Sequence, residues 1–176
     1  MSHTDSSRTL PRLRTVAVLL AIFLSACDNS GSGDTGDATL AALGARDIVY
    51  DVPIPWQETG IQLTKGTSVK ISATGKATYD AGRTTTHYIG PEGDGPRTGW
   101  GNCPVHSLVG WVGSSRPHAD TPPDSLADVI CLGAGFMGAV GGSGQLYLAL
   151  NDYSGDPGVF GDNAGSWTVN ISSSTE

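Results

Sequence analysis

The chain has 176 residues with 25 Gly and 10 Pro, 38% hydrophobic and 7% aromatic residues, and a net charge of −7 from 10 Lys+Arg against 17 Asp+Glu. An acidic balance of this size argues against nucleic acid or an anionic bilayer surface as partner, because both repel a negative surface. The length fits one domain with a core of useful size.

Arg8, Arg12 and Arg14 precede the apolar run Val16–Leu24, which closes in Leu24-Ser25-Ala26-Cys27. A charged region, a short apolar core and small residues before a cleavage point define a signal peptide over residues 1–26. Nine apolar residues are too few for a spanning helix, which needs about 20. A cysteine directly after Leu-Ser-Ala resembles the lipobox of bacterial lipoproteins, whose Cys becomes the lipid-modified mature N-terminus. The resemblance implies an exported protein anchored through Cys27, on a periplasmic face or at the cell surface, and Asp28 resembles an inner-membrane retention signal. After cleavage the charge deepens to −9, since the leader holds three of the basic residues and one acidic one.

Residues 27–46 follow as lipidated Cys and linker. Their Gly, Ser, Asp, Thr and Ala cannot bury enough apolar area to order themselves, so a disordered tether is expected. From residue 47 to 174 the pattern changes to short alternating segments. Ile48–Val52, Gly60–Leu63, Ser68–Ala73, Lys76–Tyr79, Ser107–Val112, Asp128–Leu132, Phe136–Val140, Gln145–Leu150 and Trp167–Ile171 read as strands, with Lys65-Gly66 and Thr74-Gly75 as turns. The expected fold is all-β, a small β-sandwich of jelly-roll kind. Two long loops, Asp80–Pro104 and Gly113–Ala127, are function-bearing or disordered.

The stretch Gln145–Ile171 organises the domain. Between its two strands, Asp152, Asp156, Asp162 and Asn163 fall within a dozen residues punctuated by glycine. Such a loop can offer carboxylate, amide and carbonyl oxygens to a hard cation such as Ca²⁺. The same residues also make ordinary solvated turns, so both readings stand. Clustered carboxylates repel unless a cation neutralises them, which favours a metal over an acid–base pair of Asp152 and Asp162. With Cys27 assigned to lipid, Cys103 and Cys131 in an exported protein read as a disulfide, with two free thiols as the alternative. Trp100, flanked by Gly99 and Gly101, reads either as an exposed platform for a sugar face or as a plug closing its loop. Trp56, Trp111 and Trp167 read as core. His87, His106 and His118 show no metal spacing, and no nucleophile elbow, zincin motif or phosphate loop is present.

The succession Gly60-Ile61-x-Leu63 through Ala77-x-Tyr79, then Gly90-Pro91-Glu92-Gly93-Asp94, Ser107–Gly113, Gly144–Leu148, Asn151-Asp152 and Asp162-Asn163-Ala164-Gly165-Ser166-Trp167-Thr168-Val169-Asn170-Ile171 resembles bacterial galactophilic lectins of the LecA (PA-IL) type. That resemblance spans 47–172 and implies a β-sandwich holding one Ca²⁺ that chelates two hydroxyls of galactose. It implies as ligands the main-chain carbonyl of Tyr79, the side chains of Asp152, Asp162 and Asn163, and a loop carbonyl, that of Val159. Asp152, Asp162 and Asn163 would also contact the sugar; Trp100 joins them as a ligand-binding residue only on the exposed-platform reading of its loop. The chain departs from that family in a longer Tyr153–Gly161 loop and in lacking the His-Pro-x-Gln sugar-contacting segment, where Gly95-Pro96-Arg97-Thr98-Gly99-Trp100 stands. The expected function is non-enzymatic, calcium-dependent binding of a galactoside-like carbohydrate. The other reading is a structural or protein-interaction lipoprotein whose calcium loop only stabilises the fold. Lectins of this kind often gain avidity by assembling several sites, and a lipid-anchored chain can obtain the same multivalency by sharing a surface, so the sequence leaves the oligomeric state open.

Overall fold

The computed structural model describes residues 44–96, 98–119, 128–152 and 157–174. The signal peptide, Cys27, Asp28 and the tether up to residue 43 lie outside the described residues, as do Arg97 and Asp156.

Among the described residues eight strands form the domain: β1 (Arg46–Asp51), β2 (Gln57–Leu63), β3 (Ser68–Thr78), β4 (Leu108–Gly113), β5 (Ile130–Cys131), β6 (Gly135–Ala139), β7 (Gly144–Leu150) and β8 (Ala164–Ser173). They make two antiparallel four-stranded sheets in the orders β1-β8-β3-β6 and β2-β7-β4-β5. The chain changes sheet at every step except β4 to β5, which is the jelly-roll-like habit expected from many short strands. The expected all-β sandwich is therefore the observed fold.

Alternation decides which face packs. On β3, Val69, Ile71, Ala73 and Ala77 point inward while Lys70, Ser72, Thr74 and Lys76 face water, and on β8 Trp167, Val169 and Ile171 do the same opposite Thr168 and Asn170. These meet Leu108, Val112, Leu146, Leu148 and Leu150 from the other sheet in the main core. Tyr50 lies at its margin, fully buried, with its hydroxyl accepting from the Leu150 amide at 2.7 Å and donating toward the carbonyl of Ile54 at 3.1 Å.

A second core lies on the outer face of the β2-β7-β4-β5 sheet. Tyr147, Ala149 and Val109 point away from the main core, yet they are buried under Trp56, Trp100, Cys103, Val129 and Phe160. The covering residues come from loops, so five consecutive residues of β7, Leu146 to Leu150, are buried on both sides.

Several sequence expectations are corrected here. Thr74-Gly75 is not a turn: the two strands expected on either side are one, β3, paired without a break from Val69–Ser173 to Thr78–Ala164. Gly75 has φ 124°, and a Cβ there would meet the Ser166 carbonyl oxygen at 2.7 Å, so this glycine serves close strand approach. The strand expected over Asp128–Leu132 shrinks to two residues. Trp56 is core as expected but sits in a turn with φ 53°, while Trp111 is only half-buried, its ring 5.9 Å from that of Tyr147.

Candidate functional site at one end of the sandwich

Two strand pairs run out side by side at one end of the domain. One step beyond the paired Leu108 and Leu150, the Ser107 carbonyl accepts from the Asn151 amide at 2.9 Å, and the His106 amide donates to the Asn151 carbonyl at 2.9 Å. This continuation carries His106 alongside Asp152. In the other sheet, Tyr79 and Asn163 lie one step beyond the paired Thr78 and Ala164, and the Ala81 amide donates to the Asp162 carbonyl at 2.7 Å.

A ring stack joins the two ends. The Tyr79 and His106 rings lie 3.5 Å apart between centroids and are nearly parallel, at 15°. The Tyr79 hydroxyl donates to Asp94 Oδ2 at 2.7 Å and lies 3.3 Å from His87 Nδ1. His106 Nδ1 contacts Asp94 Oδ1 at 3.1 Å, and its Nε2 faces Asp152 Oδ1 at 3.5 Å. The structure thus gathers Tyr79, Asp94, His106 and Asp152 into one cluster, with Asp162 and Asn163 on the turn that pairs with the segment after Tyr79.

The electrostatics of the cluster follow from these contacts. Burial pushes the Asp94 carboxyl up, but hydrogen bonds from Tyr79 and His106 outweigh it and hold the group below the ordinary carboxylate range. Asp80 is likewise held low, first by the Thr78 hydroxyl and then by the His87 amide at 2.9 Å. Both carboxyls are therefore ionised at neutral pH.

Asn151 fixes the loop that roofs this end. Its Oδ1 accepts from the Trp100 amide at 2.9 Å, and its Nδ2 donates to the carbonyls of Cys103 at 3.0 Å and Pro104 at 2.9 Å. Fully buried and fully partnered, Asn151 sets the position from which Asp152 projects. The same loop is tied to β5 by the Cys103–Cys131 disulfide.

Asn163 is the opposite case. It is 5% exposed, and neither its Oδ1 nor its Nδ2 has a hydrogen-bond partner among the described residues. A buried amide left in this state costs free energy, so it marks a place where a missing partner belongs. An unpartnered amide oxygen on the residue after Asp162 suits a hard cation, and the unpartnered Nδ2 suits an acceptor such as a hydroxyl. Val159 lies in the 3₁₀ turn Pro157–Asp162, its side chain packed on the second core, so only its carbonyl is on offer. Among the described residues no three His, Cys, Asp or Glu side chains are arranged to hold a metal by themselves. The residues present nevertheless fit a calcium ion, whose usual donors include amide and main-chain oxygens.

Trp100 does not act as a platform. It is fully buried, with its ring 4.9 Å from Trp56 and 6.3 Å from Phe160, which corrects the reading of an exposed sugar-stacking indole. Gly101 at φ 60° turns the chain so that the indole enters the second core rather than solvent. The exposed aromatic near the site is Tyr88, 64% exposed and next to His87, which sequence reasoning did not single out. Asp94 and His106 were also not assigned a role, because no motif spacing joins them.

This is a two-sheet antiparallel sandwich with a polar site at one end. No protein-family model and no curated protein matches the chain. Among solved structures it is similar to the N-terminal domain of EclA, described as a PllA-like lectin, with 20% identity and a TM-score of 0.52, covering 78% of this chain and 100% of that one.

Proposed function

We propose that this domain binds carbohydrate through a calcium ion held at the end of the sandwich, and that it does so as an exported, non-enzymatic protein tethered to a membrane by lipid on Cys27. The observation that carries the reading is the unpartnered buried amide of Asn163, set beside Asp162 and across from the Tyr79 segment. Asp152, Asp162 and Asn163 would hold the ion with their side chains, and Tyr79 and Val159 with their carbonyls. When bound, calcium supplies coordination positions that two neighbouring sugar hydroxyls fill in place of water, since hydroxyl oxygens are hard donors of the same kind. The chain does the rest. Asp152 and Asp162 would accept hydrogen bonds from the hydroxyls, and the Asn163 Nδ2 would donate one to a sugar oxygen, so selectivity lies in which diol meets these groups together. The likeness of fold to a PllA-like lectin supports carbohydrate as the ligand class, and the resemblance in the order of residues to LecA-type lectins supports a galactoside.

Calorimetric titration of the full chain with a galactoside, in calcium and again in EDTA, tests the proposal. Heat in calcium that vanishes in EDTA supports it. Calcium binding with no heat from any sugar on a glycan panel overturns it and establishes instead a folding staple in a structural lipoprotein.

A further inference from the structure

Among the described residues the side chain that faces the Asp152 carboxylate most closely is the His106 ring, whose Nε2 lies 3.5 Å from Oδ1, an ion-pair contact of the imidazolium form. That ring is itself held on two sides, and its main chain is held as well. Asp94 contacts its other nitrogen at 3.1 Å, Tyr79 stacks on its face, and the His106 amide is bonded to the Asn151 carbonyl. Asp94 is in turn fixed by the Tyr79 hydroxyl. His106 occupies a left-handed backbone conformation with φ 60°, which glycine enters freely and most other residues enter rarely, Asn, Asp and His more often than the rest. A 92%-buried histidine kept in that conformation, with both ring nitrogens facing carboxylates, is costly for a residue that merely fills space.

We infer that His106 is a positioning residue for the cation site: clamped by Asp94 and stacked on Tyr79, it holds the Asp152 carboxylate in the orientation that calcium coordination requires. The inference rests on the calcium reading given above. It also accounts for the stack between the sheet ends, because Tyr79 is asked to supply a ligand carbonyl from its main chain while its side chain orients the group that orients Asp152. Outer partners that orient ligands of a metal change affinity by about 10–100-fold when removed.

The test is calcium titration of the full chain and of His106→Gly, with melting temperature measured in EDTA alongside. Glycine relieves the backbone conformation while deleting the ring, so the calcium-free variant melts no lower than the parent by more than a few degrees, yet its calcium dissociation constant rises about 10–100-fold. His106→Asn, which also tolerates the left-handed region but cannot reach both carboxylates, shows the same loss and covers the case in which the glycine variant fails to fold. Calcium affinity unchanged in a folded variant overturns the positioning role while leaving the calcium site standing. Failure of the parent chain itself to bind calcium overturns both, so the two failures are distinguishable.

Discussion

Replacing Asn163 by leucine, a side chain of similar shape without polar atoms, has opposite consequences with and without calcium. In EDTA the parent carries a 5%-exposed amide with both polar atoms unpartnered. Such a group costs about 1–3 kcal/mol, so Asn163→Leu stabilises the calcium-free domain by roughly that amount. For a domain of this size each kcal/mol moves the melting temperature by about 3–5 °C. In calcium at a hundredfold excess over its dissociation constant the parent gains about 2.7 kcal/mol by mass action, and the variant, lacking the amide oxygen, gains far less. Scanning calorimetry of both chains in EDTA and in calcium reads all four values. A variant that melts below the parent in EDTA, or that calcium stabilises as much as the parent, refutes the reasoning.

Trp100→Ala removes a fully buried indole from the second core and costs about 3–5 kcal/mol in urea denaturation; a surface-like loss below about 0.5 kcal/mol would contradict its placement there. Reduction of Cys103–Cys131, which lie 28 residues apart, costs about 3–4 kcal/mol on the chain-entropy account, and matching urea midpoints with and without reductant would contradict that. The Asp80 carboxyl is held below its ordinary value of 3.8, so its contribution is complete above that pH and is lost as the pH falls through the lower folded value. Asp80→Asn, which keeps an oxygen acceptor for Thr78 and His87, therefore flattens the acid limb of the melting temperature against pH measured in EDTA; an unchanged limb would count against it.

How much of this could be read in the chain depends on which interactions are local. The strands with one wet face, β1, β3 and β8, announce themselves by alternation, as Val69-Lys70-Ile71-Ser72-Ala73 and Trp167-Thr168-Val169-Asn170-Ile171 show. The second core left no such trace, because Trp56, Trp100, Val129 and Phe160 arrive from separate loops with no period, and Gly99 and Gly101 around Trp100 read as exposure. In the structure a Cβ on Gly101 would stand 2.8 Å from Val129, so that glycine signals tight packing. Of the site, Asp152, Asp162 and Asn163 were legible as a dense oxygen loop between two strands. Asp94 and His106 were not, since 12 residues separate them from each other and the run-on of β4 beside β7 is what brings His106 to Asp152. The lipid anchor and tether are readings of the sequence that fall outside the described residues, and labelling of the chain with a fatty-acid probe, lost in Cys27→Ser, checks the anchor directly.

Diffraction from crystals grown in calcium and a galactoside tests the central claim most directly. The account expects one ion within about 2.3–2.6 Å of oxygens from Tyr79, Asp152, Val159, Asp162 and Asn163, with two sugar hydroxyls completing its shell. A calcium-saturated crystal in which the Asn163 amide finds a protein partner and no ion lies between Asp152 and Asp162 would contradict it.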